Sequence, residues 1–168
     1  MALVDALLPE FDHEVAATRR LLARLPDGQL EWQPHHKSMT LGALATHLSE
    51  LGYWGQETLN SSAADLETMT RPAGFVPTAT RAAILAVFEQ KMSGARAALV
   101  GKTDAELMAP WTLRRGAVEF FTMPKASCWR TFVMNHLIHH RGQLTVYLRQ
   151  LDVPLPSIYG PSADEQPF

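Results

Sequence analysis

Two histidines near the C-terminus have the spacing of metal ligands on one helix. The stretch from Asn135 to Gln143 reads NHLIHHRGQ and lies inside an apolar segment with helical periodicity. On an α-helix, His136 and His140 are about 40° apart around the axis and about one turn apart along it, so both imidazoles can reach one ion. His139 lies about 100° from His140, which makes it a poor partner for the pair. One helix therefore supplies two ligands, and a third must come from elsewhere in the chain.

His47 is the candidate for the third ligand. It lies between Leu44, Leu51 and Trp54 in a second predicted helix, and this spacing places its side chain on the apolar side. For each histidine the alternative is a core residue that is simply hydrogen-bonded to a neighbour. Three neutral imidazoles suit a first-row divalent ion such as zinc, nickel or iron. Structural zinc sites usually have four protein ligands, whereas three ligands and an open position are typical of a catalytic ion.

The composition argues against several classes of protein. The chain has 168 residues, of which 46% are hydrophobic and 19% charged, and its formal charge is −2. We expect one globular domain spanning residues 1–168. The isolated pairs Arg19-Arg20 and Arg114-Arg115 do not make the clustered basic surface that nucleic-acid binding needs. We also expect a cytoplasmic protein, because no apolar run is long enough for a membrane and the single Cys128 cannot form an internal disulfide.

Apolar residues at helical spacing predict four long helices. These helices run from about Leu7 or Pro9 to Arg24, from Thr40 to Leu59, from Thr80 to Val100 and from Ser127 to Leu151. Pro9 is expected in the first helical turn, where its missing N–H costs nothing, and Ser38 or Thr40 is expected to cap the second helix. We predict an all-α four-helix bundle, a fold whose metal sites are built from side chains of facing helices.

The segments between these helices carry other signals. Residues Asn60 to Thr78 read as a long connection, and Thr103 to Glu106 match a capping box. The bulky residues from Trp111 to Phe121 permit a small hairpin. The proline-containing tail from Asp152 to Phe168 is expected to pack as irregular structure.

The chain resembles the DinB family in three places. These are the motif His136–Gln143, the inward His47 and the ending PLPSIYGPSAD at residues 154–164. The resemblance covers the whole chain and implies a four-helix bundle, a divalent metal on His47, His136 and His140, and a homodimer. Characterised members of this superfamily include metal-dependent S-transferases that use bacillithiol, mycothiol or glutathione.

The function that we expect is S-transfer. An ion on the three histidines would activate a low-molecular-weight thiol, which attacks an electrophilic small molecule. One alternative is a metal-binding stress-response or sensor protein without turnover. Another is a metal-dependent hydrolase, for which no dedicated acid–base residue can be placed. Neither nucleic acid nor a membrane is expected as a partner.

Residues beside the predicted ligands carry weaker hypotheses. Glu50 or Asn135 could orient an imidazole, although solvated helix residues are the simpler interpretation. Gly142 costs about 1 kcal/mol relative to alanine inside a helix, which suggests close packing. Cys128 near a helix N-terminus could be a reactive thiol, but burial beside Trp129 is favoured.

The remaining candidates are assigned by position. His13, His35 and His36 are expected on the surface, and His139 on the flank of its helix. Arg141 and Gln143 could contact a substrate or hold the tail. The four tryptophans are expected in the core or in the wall of a cavity between helices.

Overall fold

Long helices make up most of the chain. The computed structural model describes residues 2–69 and 80–166. Its first helices are α1 (Leu3–Leu22), α2 (Leu41–Asn60), α3 (Arg81–Leu99) and the short α4 (Asp104–Met108). The last long helical region is continuous but not uniform: α5 (Lys125–Cys128) leads into a π-helical segment (Trp129–Met134) and then α6 (Asn135–Gln150). In the described part of the chain, no helix is long and apolar enough to cross a membrane.

Threonine caps define three of the helix starts. The Thr40 hydroxyl accepts a hydrogen bond from the backbone N–H of Ala43 at 3.1 Å, and Thr80 does the same for its own helix. Thr103 and Glu106 form the predicted capping box at the start of α4. These side chains satisfy backbone donors that have no partner within the helix. The prediction of Thr40 as a cap and the bounds of α2 and α3 are confirmed to within a residue.

The predicted position of Pro9 is wrong. The helix α1 begins at Leu3, so Pro9 lies inside it rather than in its first turn. Two carboxylates stabilise the earlier start. Asp5 accepts a hydrogen bond from the N–H of Ala2 at 2.9 Å, and Asp104 accepts one from Leu3 at 2.7 Å. The second contact comes from a residue far away in the sequence, which local periodicity cannot reveal.

A three-stranded sheet corrects the all-α prediction. Its strands are β1 (Ala63–Asp65), β2 (Pro110–Arg115) and β3 (Val118–Pro124). The strands β2 and β3 form the predicted antiparallel hairpin, and β1 pairs in parallel with β2. The fold is therefore mostly helical with a small sheet, and the four-helix bundle stays a prediction. Part of the predicted long connection contains β1, and residues 70–79 lie outside the described part of the chain.

Strand β1 is short and its residues have low β-propensity, so contacts with distant parts of the chain must stabilise it. Asp65 accepts hydrogen bonds from the backbone N–H groups of Glu67 at 3.0 Å and Gly116 at 2.9 Å. Gly116, at the hairpin turn, has a φ of 56°, a conformation that glycine adopts readily. The carboxylate of Asp65 thus joins β1 to the turn of the hairpin, and it also pairs with Arg114 at 3.4 Å.

The core lies between the long helices. Helix α2 packs against α3 and α6, and α1 packs against α3 and α6. Helices α2 and α3 approach closely, since a Cβ on Gly52 would lie 2.5 Å from the carbonyl oxygen of Lys91. The tail after α6 is irregular as far as it is described, to residue 166, in agreement with the prediction. It is held by Asp164, which accepts hydrogen bonds from Arg149 at 2.5 Å and from the N–H of Leu155 at 2.9 Å.

Gly142 is not explained by close packing, which corrects the sequence-based interpretation. A Cβ at this position of α6 would meet no atom within 4 Å. We therefore predict that Gly142→Ala raises the free energy of unfolding by about 0.4–1 kcal/mol, because alanine restricts the unfolded chain and favours the helix.

Gly52→Ala is the matched control, since its new Cβ would press against the α3 backbone and should lower stability. Urea denaturation followed by circular dichroism measures both variants. A stabilised Gly52→Ala, or a destabilised Gly142→Ala, would contradict this account of the two glycines.

Candidate metal centre

Three imidazoles from two helices converge at one point. His47 lies on α2, and His136 and His140 lie on α6. One ring nitrogen of each residue lies within 4.8 Å of the others, and the Nε2 atoms of His47 and His136 are 3.1 Å apart. All three side chains are half-buried. The structure therefore brings together the histidines that sequence reasoning selected.

The rotation of α6 directs its two histidines towards α2. The buried residues of α6 are Leu137, Arg141, Leu144 and Leu148. His136 and His140 each precede a member of this buried stripe, which places them about 100° around the helix from it. The two imidazoles lie at the edge of the core, facing α2, and not at its centre.

A π-helical segment immediately precedes α6. The backbone N–H of Asn135 donates to the carbonyl of Arg130, five residues earlier. The backbone carbonyl of Phe132, within this segment, acts to raise the pKa of His136, against the burial that lowers it. π-helical turns are often found at functional sites.

Gln143 orients the ring of His140. Its side-chain oxygen lies 2.7 Å from Nδ1 of His140 and accepts a hydrogen bond from it. The Nε2 atom of His140 then carries a lone pair and can act as a ligand. The sequence left open whether Gln143 contacts a substrate or holds the tail. Its position three residues after His140, on the same helical face, could have indicated a contact with His140.

All three imidazoles are disposed to be neutral. Burial, followed by the neighbouring His140 and His136, lowers the pKa of His47 from 6.5 to about 4. Burial is also the main cause of the lowered pKa values of His136 and His140. The Phe132 carbonyl raises the pKa of His136, and the hydrogen bond to Gln143 raises that of His140, but by less than burial lowers them. A neutral imidazole is the form that binds a metal ion.

This geometry fits a divalent cation. Two nitrogens bound at 2.0–2.1 Å to a tetrahedral ion would be about 3.3 Å apart, close to the separation between His47 and His136. Among residues 2–69 and 80–166, no other group of histidines, cysteines or carboxylates meets the same geometric requirement. The three histidines could therefore hold a metal ion, with no fourth residue of these types joining the group in the described part of the chain.

The other candidate residues are mostly placed as expected. Exposed positions are occupied by His13, His35, His36, Asn135 and His139. Glu50 is half-buried, and burial raises its pKa more than the charge of Lys91 lowers it. Cys128 is fully buried, and burial raises the pKa of its thiol to about 11. The reactive-thiol alternative for Cys128 is therefore wrong.

Arg141 holds the tail and α1, not a substrate. Its guanidinium is 1% exposed and lies 2.6 Å from the carboxylate of Glu14, which is itself buried. It also donates to the Glu14 carbonyl at 3.2 Å and to the Tyr159 hydroxyl at 2.5 Å. The Tyr159 hydroxyl in turn donates to the Glu14 carboxylate at 2.9 Å. This network joins α1, α6 and the tail directly beside His140.

A cavity of about 200 Å³ adjoins the histidine cluster. It is lined by Trp54, Thr58, Trp111, Leu113, Phe121, Phe132 and His136. Two of the four tryptophans are thus in a cavity wall, as predicted. The wall contributed by β2 and β3 was not foreseen, because the sequence does not show where the hairpin packs.

The fold and the site together define a class: a mostly helical protein with a possible three-histidine metal site between two helices. A family model described as DinB family matches residues 2–167. The chain belongs to the DinB family.

Individual relatives agree with this assignment. The chain is 31% identical over 167 residues to a Bacillus subtilis protein called "Uncharacterized protein YrdA", covering 96% of this chain and 91% of that protein. A crystal structure of a DinB-like protein from Bacillus cereus superposes with a TM-score of 0.71 at 24% identity, covering 92% of this chain and 97% of that one. A DinB-like protein from Bacillus subtilis gives a TM-score of 0.67 at 16% identity, covering 97% and 96%.

Because the pKa of His47 is lowered in the folded state, we predict that the metal-free protein becomes less stable in acid. Between pH 6.5 and about 4 the unfolded chain protonates this residue and the folded chain does not. The unfolded state therefore binds more protons, and the free energy of unfolding should fall as the pH falls through this window. Above pH 6.5 the contribution of His47 is constant.

Urea titrations of chelator-treated protein at several pH values measure this slope. His47→Gln should flatten the pH dependence between 6.5 and 4, whereas the exposed His13→Gln should leave it unchanged. Equal slopes in wild type and His47→Gln would contradict the prediction.

Removal of Arg141 should destabilise the fold strongly. Arg141→Met leaves the Glu14 carboxylate buried without its charged partner, which typically costs about 3–5 kcal/mol. The double variant Glu14→Met/Arg141→Met should recover most of that loss, because no buried charge is left alone. Chemical denaturation of both variants tests this. If the double variant were as unstable as the sum of the two single variants, the ion pair would not be the cause.

Proposed function

We propose that this protein is a divalent-metal-dependent S-transferase that joins a low-molecular-weight thiol to an electrophilic small molecule. His47, His136 and His140 would hold the ion. When bound there, a divalent ion lowers the pKa of a thiol that coordinates it, so that a thiolate forms near neutral pH. The metals that suit three imidazoles are zinc, nickel and iron.

The observation that carries the proposal is the ligand set. Three neutral imidazoles meet at one point, and no fourth histidine, cysteine or carboxylate of the described residues joins them. Structural zinc ions usually have four protein ligands, so three favour an ion with a position open to a small molecule. This reasoning supports an enzyme over a protein in which the ion only stabilises the fold.

The chain's own residues would perform three tasks. The side chain of Gln143 orients the imidazole of His140. The buried Arg141 holds α6 in place beside α1. The cavity next to His136 would exclude water from the acceptor. In the transfer itself a carbon–sulfur bond forms, the bond from that carbon to its leaving group breaks, and the leaving group departs with the electron pair.

Other parts of the proposal rest on the family. Membership of the DinB family supports a four-helix bundle made by the long helices, and it supports a homodimer. A cytoplasmic location is consistent with the buried, reduced Cys128.

The test combines metal analysis with a thiol screen. Purified protein should contain about one divalent ion per chain, and it should consume bacillithiol, mycothiol or glutathione in the presence of a halogenated or epoxide acceptor. Chelation should abolish the activity, and the matching metal should restore it. His140→Ala should lose metal affinity by more than the roughly 10- to 100-fold that follows removal of a residue supporting a ligand.

His139→Ala is the matched control, because this neighbouring imidazole is exposed and lies outside the cluster. It should retain both metal and activity. Loss of metal in His139→Ala but not in His140→Ala would overturn the ligand assignment. Metal binding without turnover of any thiol, together with a steep loss of thermal stability on chelation, would instead indicate a structural ion.

A further inference from the structure

The cavity beside His136 lies along α2, beyond the histidine cluster. His47, Trp54 and Thr58 are spaced at seven and four residues, so they share one face of α2. Phe132 lies one turn before His136 on the opposite wall. The hairpin closes the remaining side with Trp111, Leu113 and Phe121. A molecule in this space would touch His136 at one end and the sheet at the other.

The size of the cavity limits its occupant. Its volume is about 200 Å³. An apolar cavity of about 150 Å³ holds one benzene molecule. The cavity here therefore matches one aromatic ring with a short substituent, and it is smaller than the pockets that hold larger ligands.

The walls carry no charge. None of the lining residues is an aspartate, glutamate, lysine or arginine. Of the polar groups in the wall, the indole N–H of Trp111 already donates to the Ser61 hydroxyl at 3.1 Å. A positively charged ligand would lose its hydration here without gaining an ionic partner, and a divalent ion at the His136 end would repel it, which is unfavourable.

The walls are also mainly aromatic. The rings of Phe121 and Phe132 are stacked, with centroids 4.8 Å apart and planes inclined by 4°. Trp54 and Trp111 add two larger rings to the lining. Aromatic side chains pack favourably against another aromatic ring in offset or edge-on arrangements. These rings therefore favour a flat, aromatic occupant over a branched aliphatic one of the same volume.

We infer that this cavity binds the electrophilic acceptor, and that the acceptor is an uncharged compound with one aromatic ring and its reactive carbon at the His136 end. This inference rests on the proposed S-transferase function. For a benzylic halide the thiolate sulfur forms a bond to the benzylic carbon, the carbon–halogen bond breaks, and the halide leaves with the bonding electrons. The proton of the thiol goes to solvent.

Binding of an unreactive probe tests the cavity without any chemistry. Isothermal titration calorimetry of the full chain with toluene should show one site, and benzylammonium, which adds a positive charge to the same ring, should bind about tenfold more weakly or worse. Equal affinity for toluene and benzylammonium, or no binding of toluene, would overturn the inference.

Two variants locate the binding site. Leu113→Phe should fill the cavity and weaken toluene binding by about tenfold or more. Phe121→Ala should enlarge it, so that naphthalene binds more tightly than to wild type. Phe120→Ala is the matched control, because Phe120 neighbours Phe121 on β3 but is 51% exposed and does not line the cavity. If Leu113→Phe misfolds, Phe121→Ala alone still decides, since unchanged naphthalene affinity would contradict the assignment.

The inference and the proposed function fail in different ways. Toluene binding that responds to Leu113→Phe, without consumption of any thiol, would leave the cavity assignment intact and refute the S-transferase. Thiol transfer that toluene does not inhibit would establish the activity and refute this cavity as the acceptor site.

Discussion

The buried ion pair between Glu14 and Arg141 determines the rotation of α6, and the candidate metal site depends on that rotation. A guanidinium that is 1% exposed cannot turn towards α2 or towards water without losing its buried carboxylate. With Arg141 directed to α1, the adjacent His140 is directed to α2, and His136 one turn earlier follows it. The tail reinforces this arrangement through Tyr159, which contacts both charged groups. An interaction on the α1 side of α6 thus decides which histidines meet at α2.

Helix α2 connects the histidine cluster to the cavity. It contributes His47 to the histidine cluster and Trp54 to the cavity wall, so one rigid element positions both. Helix α2 is positioned in turn by α3. Because Gly52 has no side chain, the backbones of the two helices can pack directly against each other at this point. The π-helical segment contributes Phe132 to another wall of the cavity, which His136 also lines. The cluster and the cavity are therefore parts of one site.

Local patterns in the sequence were enough to predict the parts of the structure that local interactions determine. Helical periodicity and threonine caps predicted α2 and α3, and the spacing of His136 and His140 predicted that they share a face. Predictions failed where a distant partner decides the outcome. Strand β1 forms because β2 lies beside it, and α1 starts at Leu3 because Asp104 accepts its N–H. For Arg141 the sequence left open a contact with a substrate or with the tail, since a charge buried by an ion pair leaves no trace in hydropathy.

The histidines lie on helices, whereas three of the seven residues that line the cavity belong to the sheet. Because the hairpin contributes no member of the histidine cluster, replacing Leu113 or Phe121 reshapes the wall without removing a predicted ligand. Under the proposed function, evolution or a protein engineer could change which molecules are accepted while retaining the same reactivity. The hairpin would then be a module for substrate choice, able to diversify while the helices preserve the chemistry.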